Sequence, residues 1–333
     1  MSAYARLAGT LLGAAAMSAA ALETAVSPLV TRTTNAVYHV RQVTRAAFPN
    51  GPAADFMLNV SRPDSNQYQD IHWIKAPDDM LVRAYGESGD TRYFFTAAPC
   101  AEAPELVREY TVTLYKLTTD FSKIDKLHPY DTASRLYQDN VRPAETAEMQ
   151  AKLPWLRDRV AEIAAAAKGN PLAYARLAYA EVVTNFTYAL LPPTAPLSVA
   201  KTVAERKGDC GRLSLVFVAL LRAGGVPARL VACLRPIKGQ EPHCWAEFYL
   251  AHYGWIPVDV TFDLGQPSFK HFGNYDDRTI VLTRGTNFKL ASAGGRALTM
   301  QFCQDYGYWY WISAEHRGAP VVTSTIEALQ PTP

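Results

Sequence analysis

Residues 213–221, Leu-Ser-Leu-Val-Phe-Val-Ala-Leu-Leu, are apolar around the whole helical wheel except at Ser214. A helix without a polar face has to be covered on every side, so other layers of the protein must wrap it. Its limits are written in the sequence. Gly208-Asp209-Cys210 stands in front, and Gly224-Gly225 with Pro227 stands behind, where a helix ends and cannot resume. At 333 residues the chain has room for two domains, so the covering layers can come from either side of this helix.

Both sides offer them. Between about residue 36 and residue 122 the pattern is β: "AVYHVRQVTRAAF", "QDIHWIKA", "MLVRAYGES", "TRYFFTAA" and "VREYTVTLYKLTTDF", separated by turn clusters such as "PNGP" and "ESGD". In "YTVTLYKL", Tyr110, Val112 and Leu114 alternate with Thr111, Thr113 and Tyr115, as in an antiparallel sheet with one solvated face. An irregular linker with scattered prolines follows. "LPWLRDRVAEIAAAAKGN" then places Trp155, Val160 and Ile163 at helical spacing, "PLAYARLAYAEVVTNFTY" opens a second helix at Pro171, and "LSVAKTVAERK" reads as a third. After the apolar helix, "ARLVACLRPI", "PHCWAEFYL", "GWIPVDVTF" and "RTIVLTRG" read as strands, with His252 in an exposed turn. "YGYWYWI" (306–312) reads as a strand packed on both faces rather than a carbohydrate-stacking surface. The expected class is α+β, a central helix on an antiparallel sheet with a preceding β-rich domain. The expected divisions are 1–25 as a leader, 30–125 as the β-rich domain, 126–150 as a linker and 151–320 as the domain carrying the chemistry.

The first 25 residues carry one basic residue, Arg6, and no further charge until Glu23, with Ala19-Ala20-Ala21 as a small-residue cleavage pattern. They read as a secretory signal peptide, not an integral membrane span, which predicts a periplasmic or secreted protein; if the segment stays attached as an Ala-rich helix, the protein is cytoplasmic. With 33 Lys+Arg against 31 Asp+Glu and no dense basic run, nothing favours a nucleic-acid partner. No paired CxxC, HExxH, GxGxxG or P-loop is present, so neither a metal nor another cofactor is expected. Five cysteines leave an odd thiol: Cys100, Cys210, Cys233, Cys244 and Cys303.

Cys210 opens the buried helix, where unpaired N–H groups favour an anion, so a thiol there is poised to ionise. Taken singly, it reads first as a buried core thiol. A base stands at His243, at the head of "HCWAEFYL"; its alternation puts His243, Trp245, Glu247 and Tyr249 on one face and Cys244, Ala246, Phe248 and Leu250 on the other. If the next strand folds back through the His252-Tyr253-Gly254 turn, Asp259 comes opposite His243, where a carboxylate can hold the imidazole. A nucleophile, a base and an orienting acid make a coherent set. Trp245 and Glu247, on the His243 face, are expected to line the cleft, as are Asp209, Gly211 and Arg212 beside the thiol.

Gly208-Asp209-Cys210, Gly225-Val226-Pro227-Ala228-Arg229, His243-Cys244-Trp245 and Gly254-Trp255 with Asp259 together resemble the core of the transglutaminase-like superfamily. The resemblance implies a papain-like core with Cys210 as nucleophile, His243 as general base and Asp259 as its orienter. It implies attack on an amide or isopeptide bond of a peptide or protein, through an acyl intermediate resolved by water or by an amine. The competing class is a catalytically silent binding or assembly module on the same fold. The chain departs from the common pattern in three places: Gly211-Arg212 follow the cysteine instead of acidic residues, Val260 instead of proline follows the aspartate, and Cys244 replaces a smaller residue. Arg212 is thereby expected to favour an anionic group near the thiol. Cys233 and Cys244 fall on adjacent strands, so they are expected either to form a cross-strand disulfide away from the site or to be small core residues.

Overall fold

The computed structural model describes residues 26–76, 82–84, 90–103, 105–142, 153–192, 197–236, 241–291 and 297–329. The leader expected at 1–25 lies outside the described residues, as do parts of the stretch around residue 150. The chain begins with β1 (Val30–Ala47), β2 (Asp55–Arg62), β3 (Gln69–Lys75), β4 (Val82–Ala84), β5 (Asp90–Thr96) and β6 (Leu106–Thr119). Helices α1 (Arg135–Val141), α2 (Pro154–Ala167) and α3 (Pro171–Asn185) follow, then the short strand β7 (Thr187–Tyr188) and α4 (Val199–Glu205). Next come β8 (Lys207–Gly208), α5 (Cys210–Ala223), β9 (Ala228–Leu234), β10 (Pro242–Leu250) and β11 (Gly254–Val258). The last elements are β12 (Ile280–Arg284), β13 (Phe288–Ala291), β14 (Ala297–Met300), β15 (Tyr306–Trp311) and β16 (Val321–Leu329).

α5 is the expected central helix. Asp209 caps it, accepting from the Arg212 N–H at 3.1 Å. Every residue from Gly211 to Arg222 is buried. Its apolar side chains share one core with α2, α3 and the inner face of the antiparallel sheet β11-β10-β9-β12, through Ala246, Phe248, Leu250, Ile256 and Val258. At about 1.5–3 kcal/mol per fully buried large apolar side chain, this cluster is the main stabilising mass of the molecule. α5 ends at Gly224, where an added Cβ would lie 2.1 Å from Tyr174 Cζ, and at Gly225, whose φ is +76°. Only glycine fits the first for lack of space and suits the second for its left-handed backbone.

The outer face of that sheet is covered by a second one, β16-β1-β6-β3. Leu234, Ile280 and Leu282 pack with Val40, Tyr110 and Val112, while Trp245, Cys233 and Val281 pack with Tyr68, Leu117 and Tyr275. β6 shows the expected alternation of buried and half-buried residues from Tyr110 to Tyr115. β16, at the end of the chain, pairs antiparallel with β1, and β15 pairs with β2, so both ends of the chain build the β-rich part. Buried Arg108 stitches these layers, reaching Ser61, Thr44 and the Asp305 carboxylate (2.8 Å).

Strands β2, β7, β8, β13, β14 and β16 escape the sequence pattern, as does helix α1 inside the expected linker, and two of the strands show why. β2 is buried from Asp55 to Ser61 on both faces, so "DFMLNVS" carries no alternation to detect. β16 lies with most side chains exposed or half-exposed, and its Thr/Ser/Glu content hides it. The expectation for 306–312 is corrected: Trp309 and Trp311 pack on Met57 and its neighbours, but Tyr308 and Tyr310 are 40% and 42% exposed. One face of β15 is packed and the other is open.

Candidate active site

Cys210 occupies the first position of α5, above the start of β10. Gly208 sets that approach: a Cβ there would fall 2.9 Å from Arg212 Cβ and 3.2 Å from Thr202 Cγ2. Gly208→Ala therefore has to push the first turn of α5 aside, at an expected cost of about 1–3 kcal/mol. Alkylation of Cys210 by iodoacetamide should slow accordingly, and an unchanged alkylation rate and melting temperature would refute the packing argument.

The structure brings Cys210, His243 and Asp259 together. His243 Nε2 lies 2.6 Å from Asp259 Oδ2, with both side chains buried. That leaves Nδ1 as the ring nitrogen able to serve the Cys210 thiol, to which His243 is hydrogen-bonded. Asp259 is held in turn by Thr261, whose backbone N–H and hydroxyl donate to Oδ1 at 2.9 and 2.6 Å. The route to this contact differs from a simple facing pair. The hairpin register runs from Leu250↔Gly254 to Ala246↔Val258 and stops there. Asp259 leaves the ladder, donates its N–H to His271 O at 3.0 Å, and turns its carboxylate to His243.

The electrostatics favour a thiolate–imidazolium pair. The Cys210 thiol is lowered to about 5, chiefly by its hydrogen bond with Cys244, against the opposing effect of burial, and further by the hydrogen bond and charge of His243 and by the Cys244 backbone. Burial pulls His243 down, but the Asp259 carboxylate and the Cys210 thiolate override it and raise the imidazole to about 10. Burial pushes Asp259 up, yet the His243 charge and the hydrogen bonds of His243 and Thr261 together leave it below its ordinary value. An anionic sulfur at a helix start and beside a cation can attack a carbonyl carbon, and the positive end of the helix favours the oxyanion that forms.

The flanking residues divide. Asp209 and Gly211 border the thiol. Arg212 does too, but its guanidinium pairs with Asp209 within the same turn, so its charge is already met and the expected pull on an anionic group is corrected. Trp245 and Glu247 do not line the cleft. Both are fully buried under the second sheet: Trp245 packs on Tyr68 and Tyr275, and Glu247 accepts from Arg229 Nε (2.6 Å), the Tyr68 hydroxyl (2.6 Å) and Gln67 (3.2 Å). His252 is the exposed turn residue expected, with φ of +68° and its ring 4.0 Å from that of His128.

The cysteine expectations change most. All five described thiols are free. The β9–β10 register puts Cys233 across from His243 and Cys244 across from Ala232, so the two cysteines point to opposite faces and cannot bridge. Cys233 lies in the outer core and donates to His243 O at 3.2 Å. Cys244 faces α5 and touches Cys210, so it belongs to the site rather than lying away from it.

Other contributors have weak sequence signals. Thr261 is two residues after Asp259, the spacing at which an Asp commonly caps its own turn, and this could have been read. Tyr188, half exposed on β7, faces the Cys210 backbone N–H. Phe262, 48% exposed, stands between the rings of His243 and His271 at 5.4 and 5.0 Å. His271 forms its own pair with Asp263, Nδ1 to Oδ1 at 2.8 Å, and the Tyr179 hydroxyl donates to Asp263 at 2.5 Å. Surface cavities of about 270 and 310 Å³ around Tyr130 lie at the opposite end of α5 from the thiol, so they are not part of this site.

The transglutaminase-like superfamily model matches residues 157–260, a stretch that includes Cys210, His243 and Asp259. Residues 157–260 are a transglutaminase-like domain. The solved structure of a candidate cysteine protease from Cytophaga hutchinsonii is similar over 92% of this chain and 94% of its own, with a TM-score of 0.51 and 14% identity, which shows a shared fold. The periplasmic domain of TgpA from Pseudomonas aeruginosa is 20% identical, with 70% of this chain and 91% of that one covered at a TM-score of 0.37. An uncharacterized Haemophilus influenzae protein is 37% identical over 17% of this chain, and the match spans 22% of that relative's length. Among the described residues, no helix is long and apolar enough to cross a membrane.

Proposed function

We propose that this protein is a thiol enzyme that opens an amide or isopeptide bond of a peptide or protein through an acyl intermediate on Cys210. The reading is carried by one observation: the Cys210–His243–Asp259 chain at the start of α5, with His243 bonded to Asp259 at 2.6 Å. Cys210 attacks as a thiolate, and the positive end of α5 favours the negative charge that develops on the carbonyl oxygen. His243 passes a proton to the leaving amine and then takes one from the incoming nucleophile. Asp259 keeps the imidazole oriented and stabilises its cation. Water or a primary amine then resolves the acyl-enzyme. Hydrolysis is favoured, because water is always present and a particular amine has to be bound.

The test is to incubate the protein with a peptide library, with and without a primary amine, and to read mass changes. Cleavage or deamidation supports a hydrolase, and amine incorporation supports transfer. Unchanged peptides, together with Cys210 alkylation no faster than that of a denatured thiol, would sink the enzyme reading and leave a silent binding module. Alkylation measured against pH gives an independent check. Its midpoint should lie near 5 in the wild type and move up in His243→Ala, because the imidazolium that stabilises the thiolate is gone.

The leader reading of residues 1–25 supports export. N-terminal sequencing of the protein from fractionated cells should find a mature start close to residue 22, and an intact Met1 in the cytoplasm would overturn it.

A further inference from the structure

We propose that Cys210 and Cys244 form a peroxide-responsive dithiol, in which Cys244 captures the oxidised nucleophile as an intramolecular disulfide. Three observations place the second sulfur there. A Cβ added to Gly211, the residue after Cys210, would lie 3.6 Å from Cys244 Sγ, so that sulfur rests on the first turn of α5. One turn along, Ser214 Oγ donates to Cys244 O at 3.5 Å, which seats the same helix face on this part of β10. Each thiol also shifts the ionisation of the other, Cys210 downward and Cys244 upward, as near neighbours do. Gln304 Nε2 fixes the start of β10 by donating to Cys233 O and His243 O, both at 3.0 Å.

The two thiols are unequal in the way such chemistry requires. Cys210 is partly exposed and held as a thiolate, whereas Cys244 is buried and kept protonated chiefly by its hydrogen bond to the Cys210 sulfur, then by burial and by the Cys210 charge. A peroxide therefore meets Cys210 first. The sulfur attacks one peroxide oxygen, the O–O bond breaks, and Cys210 becomes a sulfenic acid while the second oxygen leaves as hydroxide and takes the proton of the His243 imidazolium to become water. Cys210 is then neutral, so its thiolate no longer holds the Cys244 proton by hydrogen bond or by charge, while burial still opposes ionisation. Cys244 loses its proton, its sulfur attacks Cys210 Sγ, and the S–O bond breaks as the S–S bond forms. The hydroxide released takes that proton. The sum is two thiols plus hydrogen peroxide giving one disulfide and two waters. No other described thiol competes: Cys233 lies on the far face of the sheet, and Cys100 and Cys303 lie in separate cores. Further oxidation of Cys210, which is irreversible, is thereby cut off.

The experiment treats the full chain with hydrogen peroxide, blocks remaining thiols, and maps peptides by mass spectrometry. The wild type should lose two hydrogens, show a linked Cys210–Cys244 peptide, and recover its thiols with dithiothreitol. Cys244→Ser, nearly isosteric and unable to bridge, should instead be trapped by dimedone at Cys210 and pass to sulfinic and sulfonic acids that dithiothreitol does not reverse. Cys244→Ala serves the same purpose if the serine variant fails to fold. Equal overoxidation of Cys210 in wild type and variants, or a disulfide joining any other pair, would overturn the proposal. The readout needs no turnover, so its failure is separable from failure of the enzyme reading.

Discussion

Cys210→Ala is expected to abolish acyl transfer, with kcat falling by about 10⁴-fold or more, because the group that forms the covalent bond is gone and only transition-state contacts remain. The fold should survive, since the side chain is small and only partly covered. Residual turnover within tenfold of wild type would show that the chemistry lies elsewhere. The pH profile carries the same prediction further. The Cys210 thiolate forms as pH rises through about 5, and the His243 imidazolium is lost as pH rises through about 10. The kcat/KM profile of the wild type should therefore climb on the acid side, hold a plateau, and fall on the alkaline side. Asp259→Asn removes the carboxylate that raises His243, so the alkaline limb should move to lower pH. A limb that stays in place would separate Asp259 from the base it is taken to orient.

The second large effect concerns stability. Glu247 and Arg229 form an ion pair in which each side chain is only 1% exposed, at 2.6 Å, with the Arg229 guanidinium 3.8 Å above the Trp255 ring. Taking both charges out of water is costly, and each is tolerated because the other is present. Glu247→Ala strips the guanidinium of its carboxylate and removes the acceptor used by Tyr68 and Gln67. The expected loss is about 3–5 kcal/mol in urea unfolding. Replacing both partners by apolar residues of similar size should cost much less, because no buried charge is left behind. A loss below about 1 kcal/mol for Glu247→Ala would mean that water reaches the pair, contrary to its burial. Glu247 sits under the β16-β1-β6-β3 sheet, bonded to Tyr68 and Gln67, so the pair also ties the β-rich layer to the sheet that carries His243.

Much of this protein was legible along the chain because the signals are local. Asp209 before Cys210, Gly224-Gly225 after Ala223, and apolar residues on every side between them specify a capped, terminated and buried helix with no reference to the rest of the molecule. The hairpin turn at His252-Tyr253-Gly254 is local too, and with it the nearness of His243 and Asp259. What tertiary structure decided is which layer covers which face. Strand alternation separates Glu247 and Trp245 from Cys244 but is silent on whether a face meets a helix, a second sheet or a cleft. That depends on β1, β3 and β6, more than a hundred residues earlier, folding onto the outer side of β10. The fate of Cys244 was hidden for the same reason: the register of β9 against β10 and the seating of α5 put its sulfur against Cys210 rather than beside Cys233, and packing between distant elements leaves no mark within either one.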